Sequence, residues 1–136
     1  MRQATLKGVK ISHVGIAVSS IAEALPFYRE ILGMPEVALA PTDGARITGL
    51  DADGALVELL EAEESSSPIA KFIARKGPGI HHICFAVPDL DGALDRCRAK
   101  GVRLIDETPR VGAEGKRIAF LNPASTGGIL IELTEA

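Results

Sequence analysis

Long runs of any one kind are what this chain lacks. No apolar stretch in its 136 residues reaches the roughly 20 that a membrane-crossing helix needs, and the N-terminus carries no basic-then-apolar signal pattern, so the protein is expected in the cytoplasm. Lysine and arginine form no run either. Fifteen of them against 18 acidic residues leave a formal net charge of -3, which argues against nucleic acid or an anionic membrane as partner and for a small molecule. Cysteine is scarce. Cys84 falls in an apolar strand pattern and Cys97 on a helical face, positions that suit small buried thiols better than a disulfide. Apolar residues are plentiful at 46%, with 24% charged. That composition supports one well-buried globular unit or two small half-domains sharing a core.

The chain repeats itself. His13-Val14-Gly15-Ile16-Ala17-Val18 returns as His82-Ile83-Cys84-Phe85-Ala86-Val87, and Leu56-Val57-Glu58-Leu59-Leu60 returns as Leu130-Ile131-Glu132-Leu133-Thr134. A fixed-offset repeat implies two similar modules that can pack about a pseudo-twofold axis and converge both His/Glu pairs. The offset grows from 69 between the histidines to 74 between the glutamates, so the second copy carries extra residues, placed most simply in the glycine-rich 108–117 stretch.

Residues 11–18 and 80–87 alternate like strands, with Val14, Ile16, Val18 and Ile83, Phe85, Val87 on one face and the histidines on the other among small side chains. Ser20 and Glu23 read as a capping box for a helix ending at Gly33, with Pro26 marking a late start or a kink. Asp89 caps a second helix that Gly101 stops. Short strands are expected at 36–40, 45–50 and 55–61, the last two joined through Asp53-Gly54, and again at 103–105, 116–121 and 128–133. Ser67-Pro68 opens a short helix closed by Gly77-Pro78-Gly79. Each module therefore reads as βαβββ: module one at about 8–62, a linker helix at about 67–77, module two at about 79–136.

A glutamate in the middle of an apolar strand needs a reason, because an ionised carboxylate is rarely buried unless paired or bound to metal. Glu58 and Glu132 could each meet a His, Lys or Arg as a structural ion pair, or lie on a solvated sheet face. Two such pairs at matched repeat positions favour a divalent-metal site built from His13, Glu58, His82 and Glu132. This mixed nitrogen/oxygen set lacks the thiolates of structural zinc and suits octahedral Co²⁺, Mn²⁺, Ni²⁺ or Zn²⁺ with positions left for substrate. His81 adjoins His82, but alternation turns it to the opposite face, where its role is supporting or structural. Lys71, Lys116 and Arg117 are surface charges that could meet phosphate.

The paired His-x-x-x-Ala-Val strands and late Glu strands resemble the vicinal oxygen chelate superfamily, and the resemblance covers essentially the whole chain. Within it, the segments Asp51–Glu61, Ser67–Phe72, Gly79–Ile83, Gly101–Glu107, Arg117–Leu121 and Ser125–Leu133 are similar to the methylmalonyl-CoA epimerase family. The resemblance implies an α+β fold in which two βαβββ modules form a curved mixed sheet around the metal, as a single domain over 1–136. It implies interconversion of (R)- and (S)-methylmalonyl-CoA by C2 proton abstraction through a metal-stabilised enolate, in propionate metabolism. It also implies one divalent ion per chain, Co²⁺ first, an acyl-CoA substrate and a homodimer. The family's ligands carry over to His13, Glu58, His82 and Glu132, and its acid/base to Glu132. Epimerisation needs two acid/base groups, one per face of the substrate. Certain members carry the second on the strand matching Ala45–Leu50, which holds no carboxylate here; Glu58, equivalent to Glu132 in the repeat, is the candidate. A glyoxalase-type isomerase acting on a glutathione hemithioacetal, and a non-enzymatic binding module of the same fold, are the alternatives.

Overall fold

A computed structural model of the chain describes residues 8–136. They divide into two compact units, His13–His82 and Ile83–Ala136 with residues 8–12. The boundary falls just after His82, so the histidine that opens the second copy of the repeat lies in the first unit, with His13 and Glu58.

In the first half, the alternation begun at Lys10 becomes β1 (Lys10–Ala17), in which His13, Gly15 and Ala17 are buried while Val14 and Ile16 between them are half-buried. Ser20 caps α1 (Ile21–Pro26) by accepting a hydrogen bond from the Glu23 amide at 3.2 Å. Pro26 has no amide to donate, and the chain widens directly after it into a π-helical turn, Phe27–Ile31, closed where the Leu32 amide donates to the Phe27 carbonyl. The kink expected at Pro26 is thus a change of helix type. β2 (Glu36–Ala38), β3 (Ala45–Ala52) and β4 (Ala55–Ala62) follow, with Asp53 and Gly54 at positive φ (59° and 106°) in the tight turn joining β3 to β4. β1 pairs with β4 in parallel, and β4–β3 and β3–β2 pair antiparallel.

Both faces of this half-sheet are covered. Ile16, Leu50 and Leu59 pack with Ile21, Leu25 and Tyr28 of the first helical segment, whereas Ala17, Ala45 and Leu60 pack with Ile69, Phe72 and Ile73 of α2 (Pro68–Lys76). Alternation explains the division, since Leu59 and Leu60 point to opposite faces. α2, capped by Ser67 through the Ala70 amide at 3.1 Å, is accordingly part of the first half's core and more than a connector.

The second half takes β5 (Gly79–Val87) from Ile83 onward, its first residues to His82 belonging to the first half, then α3 (Leu90–Ala99) capped by Asp89, and β6 (Arg110–Val111), β7 (Arg117–Leu121) and β8 (Ile131–Glu135). β5 pairs in parallel with β8; β8–β7 and β7–β6 pair antiparallel. Its core is Val87, Leu90, Leu94, Ala119, Leu121 and Leu133, with Phe85 and Cys97 against them. Both halves are βαβββ with parallel and antiparallel pairs, the α+β class that the repeat implies. The strand expected at 103–105 is instead a single bridge between Leu104 and Leu121. The pairing is irregular there: the Ile105 and Asp106 amides both donate to the Phe120 carbonyl, at 2.9 and 3.2 Å, while the Asp106 carboxylate takes the Phe120 amide at 2.8 Å in place of a backbone carbonyl. Neither cysteine is in a disulfide, and no helix among the described residues is long and apolar enough to cross a membrane.

Candidate functional site

Three buried polar side chains of the first half form one cluster. His13 on β1, Glu58 on β4 and His82 on β5 are 5%, 3% and 5% exposed, each set among apolar neighbours that sequence alternation already indicates. Parallel register aligns Gly15 with Glu58 and His13 with Leu56, one pleat earlier on the same face. His13 Nδ1 lies 3.4 Å from Glu58 Oε2, and His13 Nε2 lies 3.1 Å from His82 Nε2, the two rings meeting edge to face.

Gly15 makes this arrangement possible. A Cβ there would sit 2.2 Å from His82 Cε1 and 2.5 Å from its Nδ1. The His82 ring therefore occupies the space that any side chain at position 15 would claim, so the small residues beside the histidines make room for the cluster itself. On the other side of Glu58, antiparallel pairing places Gly49. The strand that could have supplied a second carboxylate thus puts a bare backbone opposite Glu58.

His81 departs from simple alternation. Its Nδ1 lies 2.9 Å from His82 Nδ1, and its ring stands edge to face with Phe72 of α2 at 5.1 Å between centroids. Nδ1 is bonded to the ring carbon nearest the backbone, so two adjacent imidazoles can meet beside the strand although their Cβ atoms point apart. Nothing in a period-two pattern signals such a contact.

Glu132 is 5% exposed on β8. Within its own half it is in register with Cys84 on β5 and Phe120 on β7, and the Cys84 Sγ and a Glu132 oxygen come within 4.8 Å of each other. Cys84 read from the sequence as a small core residue; its place beside the carboxylate follows only from the register. The Arg110 guanidinium lies over the Phe120 ring at 5.7 Å.

Of the candidate phosphate contacts, Arg117 is engaged by Asp91 at 2.9 Å and Glu135 at 3.4 Å. Those carboxylates raise its pKa, Asp91 foremost, and Asp91 is lowered in return by the same hydrogen bond. Lys71 and Lys116 are exposed. Near the cluster's sheet, the Ile21 amide donates to Glu61 at 2.7 Å and, with Arg46 beyond it, holds that carboxyl below its ordinary range.

The donors of the first half fit a divalent cation. One ligand atom from each of His13, Glu58 and His82 can be chosen so that all lie within 4.8 Å of one another. Metal–donor bonds of about 2.1 Å at right angles bring neighbouring donors to about 3 Å, and the two Nε2 atoms already stand 3.1 Å apart. Two imidazoles with a carboxylate suit Zn²⁺ and its transition-metal neighbours better than Ca²⁺ or Mg²⁺.

Residues 10–133 match the Glyoxalase/Bleomycin resistance protein/Dioxygenase superfamily, and the chain belongs to that superfamily, whose α+β fold accounts for the paired βαβββ units. It is 40% identical to the methylmalonyl-CoA epimerase of Mycobacterium tuberculosis, whose crystal structure superposes with a TM-score of 0.87 over 94% of this chain and 87% of that one. It is 38% identical to the ethylmalonyl-CoA/methylmalonyl-CoA epimerase of Cereibacter sphaeroides over 93% of this chain and 97% of its relative. A Streptomyces coelicolor methylmalonyl-CoA epimerase variant, solved in complex with 2-nitronate-propionyl-CoA, is 33% identical with a TM-score of 0.87, over 96% of both chains. Within the superfamily, this chain belongs to the methylmalonyl-CoA epimerase family.

Proposed function

We propose that this protein is a methylmalonyl-CoA epimerase that works with one divalent ion held by His13, Glu58, His82 and Glu132. The observation that carries the reading is the buried His13–Glu58–His82 cluster in a chain similar to epimerases along nearly its whole length. The proton at C2 of methylmalonyl-CoA is acidic because a carboxylate and a thioester flank it, and removing it spreads negative charge onto their oxygens. A bound divalent cation supplies positive charge where those oxygens become more negative. Glu132 takes the proton on its carboxylate from one face of C2. Glu58, its counterpart in the repeat, is the group for the opposite face, where returning a proton inverts the centre. Burial of both carboxylates keeps water from competing for the carbanion. Co²⁺ is the first choice of ion, with Mn²⁺, Ni²⁺ and Zn²⁺ as substitutes. The family resemblance supports a homodimer acting in propionate metabolism as part of the same reading.

The test is solvent-deuterium incorporation at C2 of methylmalonyl-CoA by cation-stripped and Co²⁺-loaded protein. Cation-dependent exchange is expected, and chelation should abolish it without unfolding the chain. No exchange, beside brisk turnover of a glutathione hemithioacetal, would transfer the protein to the glyoxalase-type isomerases.

A further inference from the structure

We infer that His81 is a positioning residue: it fixes which nitrogen of His82 carries the proton and thereby readies His82 Nε2 to bind a cation beside His13. The inference rests on the cation reading above and extends it to a side chain outside the proposed ligand set. His82 has two polar edges, and both are used. Nε2 faces His13 Nε2 at 3.1 Å and Nδ1 faces His81 Nδ1 at 2.9 Å. A neutral imidazole has one N–H and one lone pair, so the edge that donates determines the edge that can accept or ligate. If His81 Nδ1 accepts, His82 is protonated on Nδ1 and presents the Nε2 lone pair toward His13; if His81 Nδ1 donates, His82 carries its proton on Nε2 and that edge is blocked.

His13 is set in a compatible way. Its Nδ1 lies 3.4 Å from the Glu58 carboxylate, which can only accept when ionised, so His13 protonated on Nδ1 leaves its Nε2 lone pair toward His82. In one tautomer set the three rings form a directional chain in which His81 donates to His82 and His82 to His13, whose protonated Nδ1 faces the Glu58 carboxylate. In the other, both Nε2 lone pairs converge on one point and His82 donates to His81. A cation selects the second set, and no change in net protonation of the three rings is required.

His81 is held for this task. Phe72 of α2 meets its ring edge to face at 5.1 Å, and Lys76 Nζ lies over that same Phe72 ring, 5.9 Å from its centroid. Gly15 helps to hold His82 by leaving space for its ring alone. An acceptor that takes the other ring N–H is the usual device for setting the tautomer of a metal-binding histidine; here the His81 nitrogen stands where a carboxylate or carbonyl more often does.

The test uses the full chain stripped of metal, with Zn²⁺ alone as the ion. In the Zn²⁺-loaded wild type, ¹⁵N spectra should show His82 protonated on Nδ1. His81→Phe keeps a ring against Phe72 but removes the acceptor, and should weaken Zn²⁺ binding by about 10–100-fold while leaving the melting profile close to wild type. His81→Asn, whose side-chain oxygen reaches the place of Nδ1, should restore most of that affinity, a rescue that simple packing at position 81 would not give. Wild-type Zn²⁺ affinity in His81→Phe with His82 still protonated on Nδ1 overturns the assignment. Failure of the wild-type chain itself to bind Zn²⁺ overturns the cation reading instead, so the two failures are told apart.

Discussion

Glu58 and Glu132 occupy the same position in the repeat but have opposite surroundings. Each lies on a strand between a parallel neighbour and an antiparallel one; for Glu58 these present Gly15 and Gly49, for Glu132 Cys84 and Phe120. Both carboxylates are buried, yet one is flanked by bare backbone and the other by a thiol and a phenyl ring. A duplicated unit fixes where a carboxylate stands and on which face. What surrounds it is free to diverge, and here the first half has given up side-chain volume so that an imidazole can fill it.

The sharpest way to break this comparison is to put volume back. Gly15→Ala places a methyl group on the His82 ring and should cost most of the bound cation, with epimerisation falling with it. Cys84→Ala, at the equivalent position of the second half, should leave cation content unchanged in metal analysis. Similar losses in both variants would show that the two halves contribute alike.

Next in size is the division between the carboxylates. Glu132→Gln should lower epimerisation by about 10²–10⁴-fold, the usual worth of a positioned acid/base group. Glu58→Gln should retain the cation through its amide oxygen and lose activity over the same range, while one-sided deuterium exchange through Glu132 survives. Near-normal epimerisation by cation-loaded Glu58→Gln would leave Glu58 a ligand only.

Stability offers a third comparison. Ile69 of α2 is 5% exposed and Leu94 of α3 is 1% exposed. Replacing either with Ala should cost about 2–5 kcal/mol in urea unfolding. An Ile69→Ala cost under about 0.5 kcal/mol, the range of a surface position, would return α2 to the status of a connector.

The smallest effects are electrostatic. Glu61 is held below its ordinary value near 4.5 by the Ile21 amide and Arg46. A depressed carboxyl stabilises the fold fully above its unfolded pKa, and that contribution is lost as pH falls through its folded one. The melting temperature should therefore drop on acidification below about pH 4.5, and less steeply in Glu61→Gln. Glu135 and Asp91 around Arg117 shift in the same direction. Their side chains are 39% and 66% exposed against 23% for Glu61, so added salt should erase their share first.

Residue order alone determined the repeat, the first βαβββ unit, the helix caps at Ser20, Ser67 and Asp89, and the strand face on which each of His13, Glu58, His82 and Glu132 stands, because each is a statement about neighbours within a turn, a pleat or a repeat. Tertiary structure decided the rest. α2 joins the first core because Ala17, Ala45 and Leu60 come together from three strands to receive Ile69. The strand at 103–105 is reduced to a bridge where the Ile105 and Asp106 amides share one carbonyl, that of Phe120, and the Asp106 carboxylate takes the Phe120 amide. Gly15 is small on account of His82, 67 residues further on, and His81 reaches His82 around the strand rather than through it. Local periodicity reports which way a side chain leaves the backbone; which atoms it meets depends on strands and helices that only the folded chain brings alongside.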